Sequence, residues 1–149
     1  MLQHIGRVWV SLVVVIFAAF PIHAGEKTAL QEHEEVRNGK DASCVVFTTC
    51  FPTAQALHAA VTSKGQRQMT KAGMSFPLPA IDNANLTALL TALKKLPEGK
   101  APQSNADALI ISYREGDAWK TRQYSRAALP PEVSSLFLLL GMPEENRQR

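Results

Sequence analysis

The sequence predicts an α+β domain, an antiparallel sheet of about five strands with two helices packed on one face, in the order β-β-β-α-β-β-α. Three observations lead there. Apolar residues recur at helical spacing in two stretches, Ile81 to Pro97 and Pro130 to Gly141. Around these stretches lie short runs rich in β-branched and aromatic residues, bounded by Gly, Pro, Ser and Asp. Tight turns join the runs, which forces antiparallel pairing, and neither βαβ alternation nor an internal repeat is present.

The chain begins MLQHIGR, VWVSLVVVIFAAF, PIHA: a basic residue at Arg7, an apolar run from Val8 to Phe20, a breaker at Pro21 and a small residue at Ala24. That is the pattern of a secretory signal peptide over residues 1–24, cleaved after Ala24. About 13 apolar residues are too few to cross a hydrocarbon core that needs roughly 20. No later stretch is long enough either, so the mature chain is expected to lack a transmembrane segment and to be secreted or periplasmic. Removing 24 of 149 residues leaves 125, enough for one domain. The formal charge of +3 falls to +2 when Arg7 leaves, which is weak evidence for a polyanionic partner, and nucleic acid is not expected.

Residues 25–43 (GEKTALQEHEEVRNGKDAS) hold only Leu30 and Val36 as sizeable apolar side chains, which predicts a flexible polar leader with at most a transient helix. Glu32, His33, Glu34 and Glu35 are adjacent, point in different directions on a helix, and read as solvated charge rather than a metal cluster. The domain proper then spans 44–141. CVVFTTCF from Cys44 is the first strand. ALHAAVT, Ala56 to Thr62, alternates so that Leu57, Ala59 and Val61 share a face; its alanines also permit a helix, but the turn Ser63-Lys64-Gly65-Gln66 favours a strand, followed by RQMTKAG as the third.

Asp82 or Asn83 caps the next helix, Leu86, Leu89, Leu90 and Leu93 form its stripe, and Pro97 stops it. Glu98 to Asp107 is a loop by composition. Ala108 to Arg114 and Ala118 to Ser125 form a hairpin around Glu115-Gly116-Asp117. The last helix starts at the Pro130-Pro131 pair, carries Val133, Leu136, Phe137 and Leu140 on one face, and ends at Gly141; residues 142–149 are a polar tail. If alternation holds, the face away from the helices is partly wet and carries Thr48, His58, Thr62, Ser112, Lys120 and Arg122.

Few residues suggest chemistry. Cys44 and Cys50 invite a disulfide in an oxidising compartment, yet six residues of straight strand separate their Cα atoms by about 20 Å, far beyond disulfide reach, so a sharp bend or separate thiols are the alternatives. His58 is the one histidine inside a predicted element, and no nucleophile or orienting carboxylate is identifiable beside it. Trp119, Lys120, Arg122, Tyr124 and Arg126 interleave aromatics with cations, the chemistry that grips sugars, phosphates and acidic surfaces; Trp119 is expected to pack beside Tyr113. Phosphate loops, metal-ligand pairs and ordered Ser/His/Asp sets are missing, so no cofactor or metal is expected. These features favour a non-catalytic binding module directed at a protein, a polysaccharide or an anionic envelope component, with a small extracytoplasmic enzyme using His58 or a cysteine, or a purely structural envelope protein, as rivals. Mass measurement of the exported chain is expected to give a polypeptide beginning at Gly25; an intact Met1 or an uncut leader refutes the signal-peptide reading, and the same spectrum with and without reductant reads the cysteine state.

Overall fold

The computed structural model describes residues 27–39, 43–50 and 56–140, without the side chains of residues 50, 137 and 138. The expected signal peptide, the end of the first strand at Phe51 and the polar tail lie outside the described residues. The elements are α1 (Ala29–Asn38), β1 (Ser43–Cys50), β2 (Ala56–Thr62), β3 (Arg67–Lys71), β4 (Met74–Leu78), α2 (Asn83–Lys94), β5 (Ala108–Glu115), β6 (Ala118–Ser125) and α3 (Pro131–Leu140). The strands form one antiparallel sheet in the order β4-β3-β2-β1-β5-β6.

The expected class holds, and so does the placement of two helices on one face. Phe47, Leu57, Leu109 and Ile111 from the sheet pack against Leu86, Leu89 and Leu93 of α2 and Val133, Leu136 and Leu140 of α3. Asp82 is the N-cap of α2, its carboxylate accepting from the Asn85 amide at 2.8 Å. Ala56 to Thr62 is extended, as the alternation predicted. Tyr124, fully buried, donates its hydroxyl to the Pro97 carbonyl at 2.8 Å, and a Cβ at Gly99 would run into its ring.

Three features differ from expectation. The run RQMTKAG does not stay extended: Ala72 and Gly73 both take positive φ, 50° and 75°, and form a two-residue hairpin loop leading into a sixth strand, β4. Ala-Gly is a poor advertisement for such a loop, because alanine rarely adopts the left-handed region. Pro77 suits an edge strand, where a missing N–H is tolerated.

The second difference is register. Gly116 and Asp117 alone form the β5–β6 loop, pairing Glu115 with Ala118 and Arg114 with Trp119. A three-residue loop would have set Trp119 against Tyr113; the shorter one slips the strand by one residue and exchanges its faces. Lys120, Arg122 and Tyr124 therefore lie on the side of α2 and α3, while Trp119 and Thr121 face the other way.

The third is α1 itself, which stands where a flexible leader was expected. Thr28 and Gln31 form a reciprocal capping box, Glu32 lies in the first turn, Arg37 in the last, and the Gly39 amide returns to the Arg37 and Glu35 carbonyls. The helix lies across the sheet face opposite α2 and α3, where Ala29 and Leu30 meet Ala56, Ala108 and Ile110. Its Ala29 amide donates to Asn105 Oδ1 at 3.2 Å. The wet face expected from alternation is thus sealed over Thr48 and Ser112 and largely covered at His58, while the Thr62 hydroxyl accepts from the Lys64 and Gln66 amides and closes the β2–β3 turn.

Burial separates the strong positions from the weak. Leu89→Ala is expected to cost about 2–5 kcal/mol in chemical denaturation. Met74→Ser, at a position 60 % exposed, is expected to cost under about 0.5 kcal/mol. Equal losses at the two sites overturn the assignment of the core.

Candidate functional site

Beneath α1 the sheet presents polar side chains where a core would ordinarily be apolar. Thr48 of β1, His58 of β2 and Ser112 of β5 occupy neighbouring register positions, since Thr48 pairs with His58, and Ser112 with Thr121 of β6. Alternation puts them on one face, and α1 inserts His33 among them. His33, Thr48 and Ser112 are 0 % exposed. His33 Nδ1 lies 2.7 Å from Thr48 Oγ1, and its Nε2 lies 2.7 Å from Ser112 Oγ. Thr48 Oγ1 is also 2.8 Å from His58 Nδ1, and Ser112 Oγ is 2.7 Å from Thr121 Oγ1. At the ends, Arg37 Nη1 donates to Thr121 Oγ1 at 3.4 Å, and His58 Nε2 faces Glu32 Oε2 at 3.8 Å.

The chain therefore runs Arg37, Thr121, Ser112, His33, Thr48, His58, Glu32, and its hydrogens are constrained. Thr48 is buried and, among the described residues, its one hydroxyl proton has no acceptor but its two Nδ1 neighbours, so it donates to one histidine and accepts from the other. The two neutral rings must be opposite tautomers. With Glu32 alone at the cleft end, His58 carries its proton on Nε2, because a ring lone pair facing a carboxylate is repelled. It follows that Thr48 donates to His58, His33 donates from Nδ1 to Thr48, Ser112 donates to His33 Nε2, and Thr121 donates to Ser112.

Both rings are neutral for a physical reason. Burial drives His33 down to about 3, assisted by the neighbouring His58 and Arg37, and burial lowers His58 as well.

One end of the chain opens to solvent. A cleft of about 440 Å³ between α1 and the β2–β3–β4 edge is lined by Lys27, Glu32, Glu35, Val36, Ala56, His58, Thr70, Ala72 and Gly73. Lys27 and Glu35 pair on its α1 side at 2.7 Å, and Thr70 is bonded to Ser75 at 3.0 Å. The Glu32 side chain is 38 % exposed and that of His58 only 9 %. The succession Glu32, His58, Thr48 resembles an acid–base–nucleophile order, but the Thr48 hydroxyl has no solvent access and reaches no substrate. Among the described residues no group of three His, Cys, Asp or Glu side chains is placed to hold a metal.

The residues singled out on the hairpin do not form one surface. Tyr124 is core. Trp119 lies on the α1 side, with the Arg114 and Arg37 guanidinium carbons 4.9 and 5.9 Å from its ring centroid. Lys120 lies on the other side, 3.9 Å from Glu115 with both side chains over half exposed. Arg126 reaches the Ala106 carbonyl at 3.5 Å, beside Asp107, whose carboxyl is held below its usual range first by the Ser125 hydroxyl. Cys44 is a free thiol packed against the α2–α3 side of the sheet and raised by burial, and β1 pairs without a bend from Val45 to Cys50, so the bridged alternative is not supported. No helix among the described residues is long and apolar enough to cross a membrane.

His33 escaped the sequence reading because its neighbours are charged. The usable signal was Thr28 with Gln31, a capping box, followed by Ala29 and His33 one turn apart on the inward face. Compared with protein-family models, curated proteins and solved structures, the chain matches none.

The neutral seat of His33 makes stability depend on pH. Its folded value, about 3, lies below the unfolded value near 6.5, so between them the unfolded chain binds a proton that the folded chain refuses. The stabilisation is complete above pH 6.5 and is lost as pH falls. For His33 alone the loss between pH 7 and pH 5 is about 2 kcal/mol, above the range where carboxylates titrate. Denaturation curves across that window are expected to show this slope, reduced by roughly one proton in His33→Gln; stability that is flat or rising toward pH 5 refutes the buried neutral ring.

Proposed function

We propose that this chain is an exported binding module, secreted or periplasmic, whose ligand site is the cleft between α1 and the β2–β3–β4 edge. The observation that carries the reading is His58: a side chain nine-tenths buried, with one ring nitrogen engaged by Thr48 and the other turned to the cleft with no hydrogen-bond partner among the described residues. A polar edge presented this way at the floor of a pocket suits recognition. Export is supported by the leader pattern in the first 24 residues.

Catalysis is the weaker reading. General-base work by His58 needs a nucleophile or a bound water in the cleft, and the two hydroxyls of the relay nearest the histidines are sealed beneath α1. The arginine pair on Trp119 supports a second reading, capture of an anionic partner at the β6 surface. The two are separated by backbone amide spectra of the purified chain during titration with small cations, carboxylates and neutral sugars. Shifts are expected to cluster at Glu32, His58, Thr70 and Ala72. Shifts centred on Trp119 and Lys120 transfer the site to β6, and turnover of an ester or peptide that disappears in His58→Ala replaces binding with catalysis.

A further inference from the structure

Resting on the cleft being the binding site, we infer that its ligand carries a primary ammonium or guanidinium group held between Glu32 and His58, and that seating this group reverses the hydrogen-bond relay under α1.

The charge in the cleft is one-sided. Lys27 is paired with Glu35 at 2.7 Å and acts on Glu32 only at longer range, so among the described residues Glu32 is the cleft carboxylate with no Lys or Arg in contact. Its nearest neighbour is His58 Nε2, at 3.8 Å. That separation is too long for a direct hydrogen bond, but it suits two acceptors gripping one nitrogen: a donor about 2.8 Å from each sees them at an angle near 85°, within reach of two N–H bonds on one ammonium. Val36, Ala56 and Ala72 offer the apolar wall for the carbon body of such a ligand.

Gripping a cation requires His58 to present a lone pair at Nε2, so its proton must move to Nδ1. The relay permits this without losing a bond. Thr48 passes its proton to His58 Nδ1 and takes the Nδ1 proton of His33; His33 Nε2 takes the proton of Ser112, and Ser112 that of Thr121. The Nε2 proton of His58 leaves to water in the cleft, and Thr121, exposed at the far end, takes one from water. Protein charge is unchanged and the ligand keeps its own protons. Afterwards His58 donates to Thr48, Thr48 to His33, His33 to Ser112, and Ser112 to Thr121, every contact retained in the opposite sense. The Thr121 hydroxyl, no longer donating inward, faces the surface where Arg37 and Trp119 sit. Occupancy of the cleft is thereby carried across three strands to the β6 side with no backbone movement.

The experiment labels the histidine nitrogens of the purified chain and follows both rings in long-range proton–nitrogen spectra during titration with putrescine, methylguanidinium, acetate and glucose. Without additive, His58 is expected to carry its proton on Nε2 and His33 on Nδ1. Putrescine or methylguanidinium is expected to exchange both assignments along one saturable curve, and Glu32→Gln to weaken that curve by about tenfold or more. Thr48→Val, close in shape, is expected to leave the His33 ring unresponsive while the fold persists in the amide spectrum. A response of His58 without His33 in the unaltered chain overturns the reversal. Saturation by acetate or glucose in place of the cations overturns the ligand class while the binding site stands, and silence with all four probes overturns both.

Discussion

A neutral imidazole without solvent contact, holding a threonine with one nitrogen and a serine with the other, is what allows a charged helix to close over a sheet. Residues 29–38 bring little apolar surface, since Ala29 and Leu30 are the hydrophobic contacts they make with the second core. A ten-residue helix is marginal by itself, whatever its caps. Its docking therefore depends on polar groups paired completely, because a single buried donor or acceptor left unmatched costs about 1–3 kcal/mol. His33 completes two such pairings at once, and Arg37 at the end of the helix anchors a third at Thr121.

The two faces of the sheet consequently obey different rules. Beneath α2 and α3 the contact is leucine against aliphatic and aromatic side chains, non-directional and tolerant of small changes of shape. Beneath α1 it is directional, and proton positions as well as atom positions must agree. A structure of this kind can be uniquely ordered at neutral pH and lose that order on protonation, so one face supplies stability and the other supplies sensitivity.

This division also sets where the proposed site lies. The apolar face is closed by two helices and by Tyr124 seated over Gly99. Along the polar face, the helix stops short of covering His58 completely, and the rim of Glu32, Glu35 and Lys27 surrounds what is left. The same interactions that hold α1 in place thus orient the groups lining the cleft, so under the proposed reading any recognition there is tied to helix docking. The interleaved cations and aromatics of β6, which read as one surface in the sequence, divide between the two sides and the core.

Local patterns in the chain were sufficient for whatever depends on period and punctuation: the α+β class, both leucine-lined helices, the extended course of Ala56 to Thr62, the hairpin after Ala108, and the grouping of Thr48, His58 and Ser112 on one face. Those properties arise from side-chain alternation and caps a few residues apart. Three others needed the assembled molecule. Loop length around Gly116 decided which face Trp119 occupies, because one residue of slip inverts a strand. The left-handed Ala72 made a sixth strand that alanine does not signal. The partner of the polar face came from a stretch whose composition predicts disorder, since the buried polar side chain of α1, His33, gains meaning only from hydroxyls 15 and 79 positions away. Hydrogen-bond complementarity between segments so distant in the chain has no period, and only folding brings it into being.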